Sequence, residues 1–236
     1  MRGKLRVIVV AAHPHEAELY CGGTLARYLT NGDTISIAYV ANGNLSDPEV
    51  DPEALGEIRR TEAEKAAALL SARLHWLGQS DHFVTADAVT VMQLVAIYRE
   101  FQPDLVITHP PGSLTSDQDA VAQAAIRAAH DAAVAAVEPS LPALATAPLI
   151  CAMDGPPGET AEPTEFVDIS EQADIKRRAL ECYESLPAAQ IKGAGNLTET
   201  MRTVARYRGL QAGVELAEGF RPINSGRGMG ARRWLP

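Results

Sequence analysis

Short apolar runs alternate along this chain with longer amphipathic stretches. Val7-Ile8-Val9-Val10 opens the pattern as an unbroken run of β-formers and predicts a buried strand over Leu5–Ala11. A helix is expected over Glu18–Asn31, with Leu19, Leu25 and Leu29 on one face and Gly32 at its end. Thr34–Val40 reads as a second strand, Ala41–Asp51 as a loop of turn formers, and Pro52–Leu70 as a strong helix. Next come a strand at Leu74–Leu77, a helix at Val89–Phe101 and a strand at Leu105–Thr108. Gln118–Val137 reads as an Ala-rich helix with Asp117 as its N-cap. Strands at Leu149–Met153 and Phe166–Ile169, Ser170 as N-cap of a helix over Glu171–Leu186, and a last helix at Leu197–Ala212 complete the series. Strand–helix alternation of this kind predicts one Rossmann-like, three-layer α/β/α domain, its sheet mostly parallel and its crossovers right-handed.

Composition narrows the class. The 236 residues are 46% hydrophobic and 22% charged, which suits a single domain with a substantial core, with residues 222–236 as a tail. A net charge of −9 and the lack of a dominant basic patch argue against nucleic acid or an anionic membrane as partner. Arg227, Arg232 and Arg233 read as a solvated basic end. Cys21, Cys151 and Cys182 are isolated, so no disulfide framework is expected and a reducing cytoplasm is the simplest setting. The N-terminal apolar run is too short for a secretory signal, and no run reaches membrane-spanning length.

The chemistry concentrates just after the first strand, at His13-Pro14-His15-Glu16-Ala17-Glu18. In open parallel sheets, sites form beyond the carboxyl ends of the strands. His13 and Glu16 suit a divalent ion such as Zn²⁺, with His15 and Glu18 as further ligands or proton carriers. Each residue alone has an ordinary reading, as a turn histidine or as an acid in a helix's first turn. Four together after a buried strand favour a site. Cys21 beside them reads as a small buried thiol.

The stretch AHPHEAELYCGGTLA resembles the opening motif, A-H-P-D-D-E-x-x-x-x-G-G-T-L-A, of the family of LmbE-like proteins and PIG-L N-acetylglucosaminyl deacetylases. The resemblance sets His13 on the first metal ligand and Glu16 on the second, normally Asp. His15 falls on the aspartate that acts as general base. Ala41-Asn42-Gly43-Asn44 stands for a T-x-G-E loop beside the pocket. Arg59, Arg60 and Glu62 match an R-R-x-E helix whose arginine faces the site, although an ordinary charged helix face fits the same residues. Gly78 to Asp81, followed by His82, matches an L-G-x-x-D loop, and Gln102–His109 an R-P-D-V-V-I-T-H phrase. The family's H-P-D-H falls on Thr115-Ser116-Asp117-Gln118, which keeps the aspartate and lacks both histidines. With Ala217–Arg221 resembling a closing A-E-x-F-R, the likeness runs from Val7 to Arg221. Its scaffold phrases are kept and its catalytic ones altered.

The resemblance implies a metal-dependent amide hydrolase, an N-deacetylase acting on an N-acylated sugar or small metabolite. It assigns metal binding to His13, Glu16 and Gln118, catalysis to His15, Arg59 and Asp117, and substrate contacts to Asn42, Arg60, His82 and His109. Zn²⁺ is the implied ion, held by a weakened set because an amide oxygen suits it poorly. Two other readings stay open: a metal-free binding protein of the same fold, and a hydratase or lyase using His13, His15, Glu16 and His109 for acid–base chemistry. The expected partners are a small-molecule or sugar-conjugate substrate and a second copy of the chain. All the enzymatic readings require His13 and Glu16 to converge at the mouth of the sheet, facing residues 117–118.

Overall fold

A computed structural model describes residues 3–113, 115–155, 162–186, 196–223 and 235–236. Seven strands form one sheet in the order β3-β2-β1-β4-β5-β7-β6. They are β1 (Arg6–Ala11), β2 (Thr34–Ala41), β3 (Arg73–Gln79), β4 (Leu105–Thr108), β5 (Leu149–Met153), β6 (Glu165–Asp168) and β7 (Ala217–Pro222). Pairings among β1 to β5 are all parallel, while β7 runs antiparallel to both β5 and β6. The chain winds outward from β1 to β3, then returns to β4 on the other side of β1. That reversal places a switch point, and hence a crevice, at the carboxyl ends of β1 and β4.

Among the described residues, six α-helices cover the sheet: α1 (Glu16–Thr30), α2 (Pro52–Leu69), α3 (Ala88–Phe101), α4 (Ser116–Asp131), α5 (Ala173–Leu180) and α6 (Leu197–Ala212). The pleat of β1 divides the core in two. Val7 and Val9 face one cluster with Leu25 and Tyr28 of α1, Ala63 and Ala66 of α2 and Ala179 of α5. Ile8 and Val10 face the other with Leu94 and Tyr98 of α3 and Ala124, Ala125 and Ala128 of α4. The three-layer α/β/α arrangement expected from the alternation is the one observed. Alanine and glycine keep the layers close: a Cβ on Gly23 of α1 would come within 2.8 Å of the Ile169 side chain.

Four local expectations are corrected. Thr115, not Asp117, caps α4, its hydroxyl accepting from the Gln118 nitrogen, and Asp117 is turned into the protein by other donors. The helix stops at Asp131 rather than Val137. Buried Arg99 of α3 draws the following carbonyls to its guanidinium, bonding Ala132 at 3.1 Å, Val134 at 2.6 Å and Leu141 at 2.9 Å. Where a helix over Glu171–Leu186 is predicted, a short 3-10 turn at Ser170–Gln172 leads into α5, which ends at Leu180. Ser170 does not cap it; its hydroxyl bonds Asp168. The chain instead turns so that the Ser185 nitrogen and hydroxyl reach Glu62 at 2.8 and 2.6 Å, and Pro187 disfavours helix just before itself. β7, whose sequence carries no clean alternation, is a full strand because β5 and β6 supply partners on both sides. Of residues 154–159, only Asp154 and Gly155 are among those described. Asp154 is tied to Arg208 of α6 at 2.6 Å.

Candidate active site

β1 ends at Ala11, and the backbone then turns through His13-Pro14-His15 to enter α1. His15 holds a left-handed conformation, φ 99°, at the N-cap. A non-glycine residue pays for that geometry, which is the kind of local strain found at functional sites. The turn sets Glu16 as the first residue of α1, so its carboxylate folds back over the end of β1. Its Oε2 accepts from the His13 backbone nitrogen at 2.7 Å and lies 3.0 Å from His109 Nε2. Its Oε1 lies 3.2 Å from His13 Nδ1 and accepts from Gln118 Nε2 at 2.7 Å. One carboxylate therefore links the ends of β1, β4 and α4.

His13 is held from both sides. Nδ1 faces Glu16, and Nε2 lies 3.0 Å from Asp117 Oδ2, which also accepts from the His82 backbone nitrogen at 2.7 Å. Carboxylate oxygens only accept, so each ring nitrogen of His13 carries its proton and the ring is an imidazolium. Burial opposes that charge, but the neighbouring Glu16 and the hydrogen bonds to Asp117 and Glu16 prevail and raise the pKa to about 10. Burial would likewise raise Glu16, yet His109 and His13 hold it well below the usual carboxylate range. Asp117 is lowered despite its burial, chiefly by the His13 hydrogen bond.

His15 is the opposite case. Burial lowers its pKa to about 4 against the pull of Glu16, helped by the cations His13 and Arg59. Its Nδ1 is buried with no hydrogen-bond partner. The ring meets that of Tyr183 edge-on at 6.1 Å. Behind it, Tyr183 bonds the Tyr39 hydroxyl, which donates to Glu18. Burial raises that carboxyl to about 7. Glu18 thus sits in a wall of phenols, away from Glu16.

These residues open onto a cleft of about 290 Å³, lined by His13, His15, Glu16, Arg59, His82 and Gln118 among others. His13, Glu16 and residues 117–118 converge as the enzymatic readings required. Arg59 of α2 reaches the cleft wall, whereas Arg60 is exposed and pairs with Glu64 at 3.3 Å. Asn42 lies beneath Gly56, its Oδ1 accepting from Asn44, and is not part of the lining. His109 is 2% exposed and stands behind Glu16 as its support. Sequence reasoning gave Asp81 no role. Its carboxylate accepts from the nitrogens of Gly43 at 2.8 Å and Leu45 at 3.1 Å, and so shapes the loop after β2 around Arg59. Asp81 stands at the end of the L-G-x-x-D phrase, the only signal that marked it.

The positions expected to hold Zn²⁺ share one point, with Glu16 Oε1 between His13 Nδ1 and Gln118. The donor chemistry fits the ion badly. His13 has both nitrogens protonated toward carboxylates, Glu16 already accepts from the His13 backbone nitrogen and ring, and an ionised Glu16 draws the amide nitrogen of Gln118, turning its oxygen away. Among the described residues, no group of three His, Cys, Asp or Glu is placed to hold a metal.

An open α/β sheet with a polar cleft at its switch point, floored by a buried imidazole–carboxylate network, defines the structural class. The model of the PIG-L family, GlcNAc-PI de-N-acetylase, matches residues 8–129, and the chain belongs to that family. It is 27% identical over 217 residues to a 4-oxalmesaconate hydratase of Pseudomonas putida, covering 87% of this chain and 80% of the relative. A diacetylchitobiose deacetylase of Thermococcus kodakarensis is 24% identical, covering 92% and 82%. The crystal structure of the 4-carboxy-2-hydroxymuconate hydratase of Pseudomonas putida superposes with a TM-score of 0.84 at 23% identity, over 98% of this chain and 100% of that one. The fold is therefore shared by deacetylases and a hydratase. No helix among the described residues is long and apolar enough to cross a membrane.

Proposed function

We propose that the cleft adds water to, or removes it from, an activated double bond of a small molecule, using imidazole and carboxylate groups rather than a three-ligand zinc ion. The observation that carries this reading is the pair of histidines in opposite states. His13 is an imidazolium fixed between Glu16 and Asp117, while burial holds His15, in the wall of the same cleft, as the neutral imidazole. A neutral imidazole accepts a proton from water, and the imidazolium of His13 holds Glu16 and Asp117 in place beside it. Glu16 and Asp117 are positioning residues, and His109 and Gln118 hold Glu16. The likeness to a hydratase over most of both chains supports the same chemistry.

Metal-assisted amide hydrolysis of an N-acylated sugar or metabolite is the second reading. Family membership and the convergence of His13, Glu16 and Gln118 favour it. Metal content after purification without chelator, together with two substrate panels, separates the two. Conjugated double-bond compounds that lose ultraviolet absorbance on metal-free protein support hydration. Acetate release from N-acetyl sugars, with stoichiometric zinc that disappears in His13→Ala, would replace it by hydrolysis.

The pH profile is a second check. His15 is neutral above about 4 and His13 charged below about 10. A plot of log kcat/KM against pH is therefore expected to be flat between roughly 5 and 9 and to fall on both sides. An acid limb centred near 6.5, the ordinary histidine value, would contradict the assignment of His15 as the base.

A further inference from the structure

Among the described residues, three large cations lie nearly or fully buried around the sheet besides Arg59, and each has its charge or its donors met. Lys176 pairs with Glu218 at 2.6 Å. Arg208 pairs with Asp154 and Glu162, both at 2.6 Å. Arg99 spends its guanidinium on backbone carbonyls. Arg59 is different. It is 1% exposed, and only Nη2 is bonded, to Ser46 Oγ at 2.8 Å and the Ser185 carbonyl at 3.2 Å. Its Nε and Nη1 are buried without a partner among the described residues.

The nearby acids are committed elsewhere. Glu62, one turn along α2, is taken by Ser185, and Asp81 by the nitrogens of Gly43 and Leu45. Residues 187–195, PAAQIKGAG, carry no acidic side chain. The loop after β2 is shaped to lie on the guanidinium. Gly43 has φ 74°, and a Cβ there would come within 3.1 Å of Arg59 Cγ. Burial lowers the Arg59 pKa against the through-space pull of Glu62 and Asp81, and its buried donors left unbonded are costly. Arg59 nevertheless forms part of the wall of the cleft that contains His13 and His15.

We propose that Arg59 is the anchor for a carboxylate on the substrate, so that the cleft takes small organic acids. The proposal rests on the reading of the cleft as a reaction site and adds the substrate class to it. A carboxylate matches a guanidinium whose Nε and Nη1 have no hydrogen-bond partner among the described residues. Phosphate would bring a second negative charge among Glu16, Asp81 and Asp117, with His13 already neutralised. Neutral acetamido sugars offer the guanidinium acceptor oxygens but no charge.

Calorimetric titration with fumarate, its uncharged isostere fumaramide and inorganic phosphate tests this. Fumarate is expected to bind at least tenfold more tightly than fumaramide and not to be displaced by equimolar phosphate. In Arg59→Met, fumarate should weaken at least tenfold while fumaramide is unchanged. If circular dichroism shows that Arg59→Met is unfolded, Arg59→Lys decides. It keeps the charge but loses the planar donors, and at least fivefold weaker fumarate binding is expected. Equal binding of fumarate and fumaramide, no fumarate binding, displacement by phosphate, or fumarate affinity unchanged in the folded variant would each overturn the anchor. The hydration reading fails separately. Hydrolysis of an N-acetyl amino acid but not of its carboxamide would leave the anchor standing and remove hydration.

Discussion

Replacing Glu16 by alanine is expected to lower kcat/KM by roughly 10²–10⁴-fold, the range spanned by loss of positioned acid–base groups. Oε1 and Oε2 together meet His13 twice, His109 once and Gln118 once, so no other side chain can take over. Without Glu16 the imidazolium of His13 keeps only Asp117, and the buried His109 ring loses the carboxylate that lies 3.0 Å from its Nε2. Removing one partner from a buried charge pair costs about 3–5 kcal/mol, so a fall in denaturation midpoint should accompany the loss of activity. Glu16→Gln separates the effects. It keeps the shape and one accepting oxygen but not the charge, and should recover most of the stability and little of the activity. Steady-state kinetics alongside urea unfolding of both variants decides the matter. Near-wild-type turnover in Glu16→Ala would show that the network is architectural.

The second large effect lies away from the cleft. Glu218 of β7 accepts from the backbone nitrogens of Gly23 at 2.9 Å and Thr24 at 2.7 Å, and from Lys176 Nζ at 2.6 Å, with both charged side chains 2% exposed. It ties α1 and α5 to the antiparallel end of the sheet. Glu218→Ala strands Lys176 in the core and should cost about 3–5 kcal/mol. For a chain of this length that lowers Tm by about 10 °C. The paired change Lys176→Met with Glu218→Gln removes the stranded charge and keeps an acceptor for the α1 nitrogens. It should restore most of the loss. Thermal unfolding of the single and double variants measures both values; an unchanged Tm in Glu218→Ala would refute the account.

The alternating pattern specified the strands β1 to β5, the helices between them and the parallel sheet, because burial on both faces demands continuous apolar runs and crossovers demand helices. It also marked His13, His15 and Glu16 as a cluster, since all three lie in one short turn after a strand whose end had to be at a crevice. Residues far apart in sequence were another matter. That His109 stands against Glu16, that Asp117 grips His13 instead of capping α4, and that two donors of Arg59 go unbonded follow from α2, α4 and β4 meeting at the carboxyl ends of the strands. So does the ionisation of the two histidines: His13 and His15 are two residues apart and chemically identical. Only the carboxylates that packing sets around one ring, and the burial it imposes on the other, separate their charges. Local periodicity decides which segments bury their faces. The pairing of groups across those segments depends on how the layers close, and no single stretch of chain encodes it.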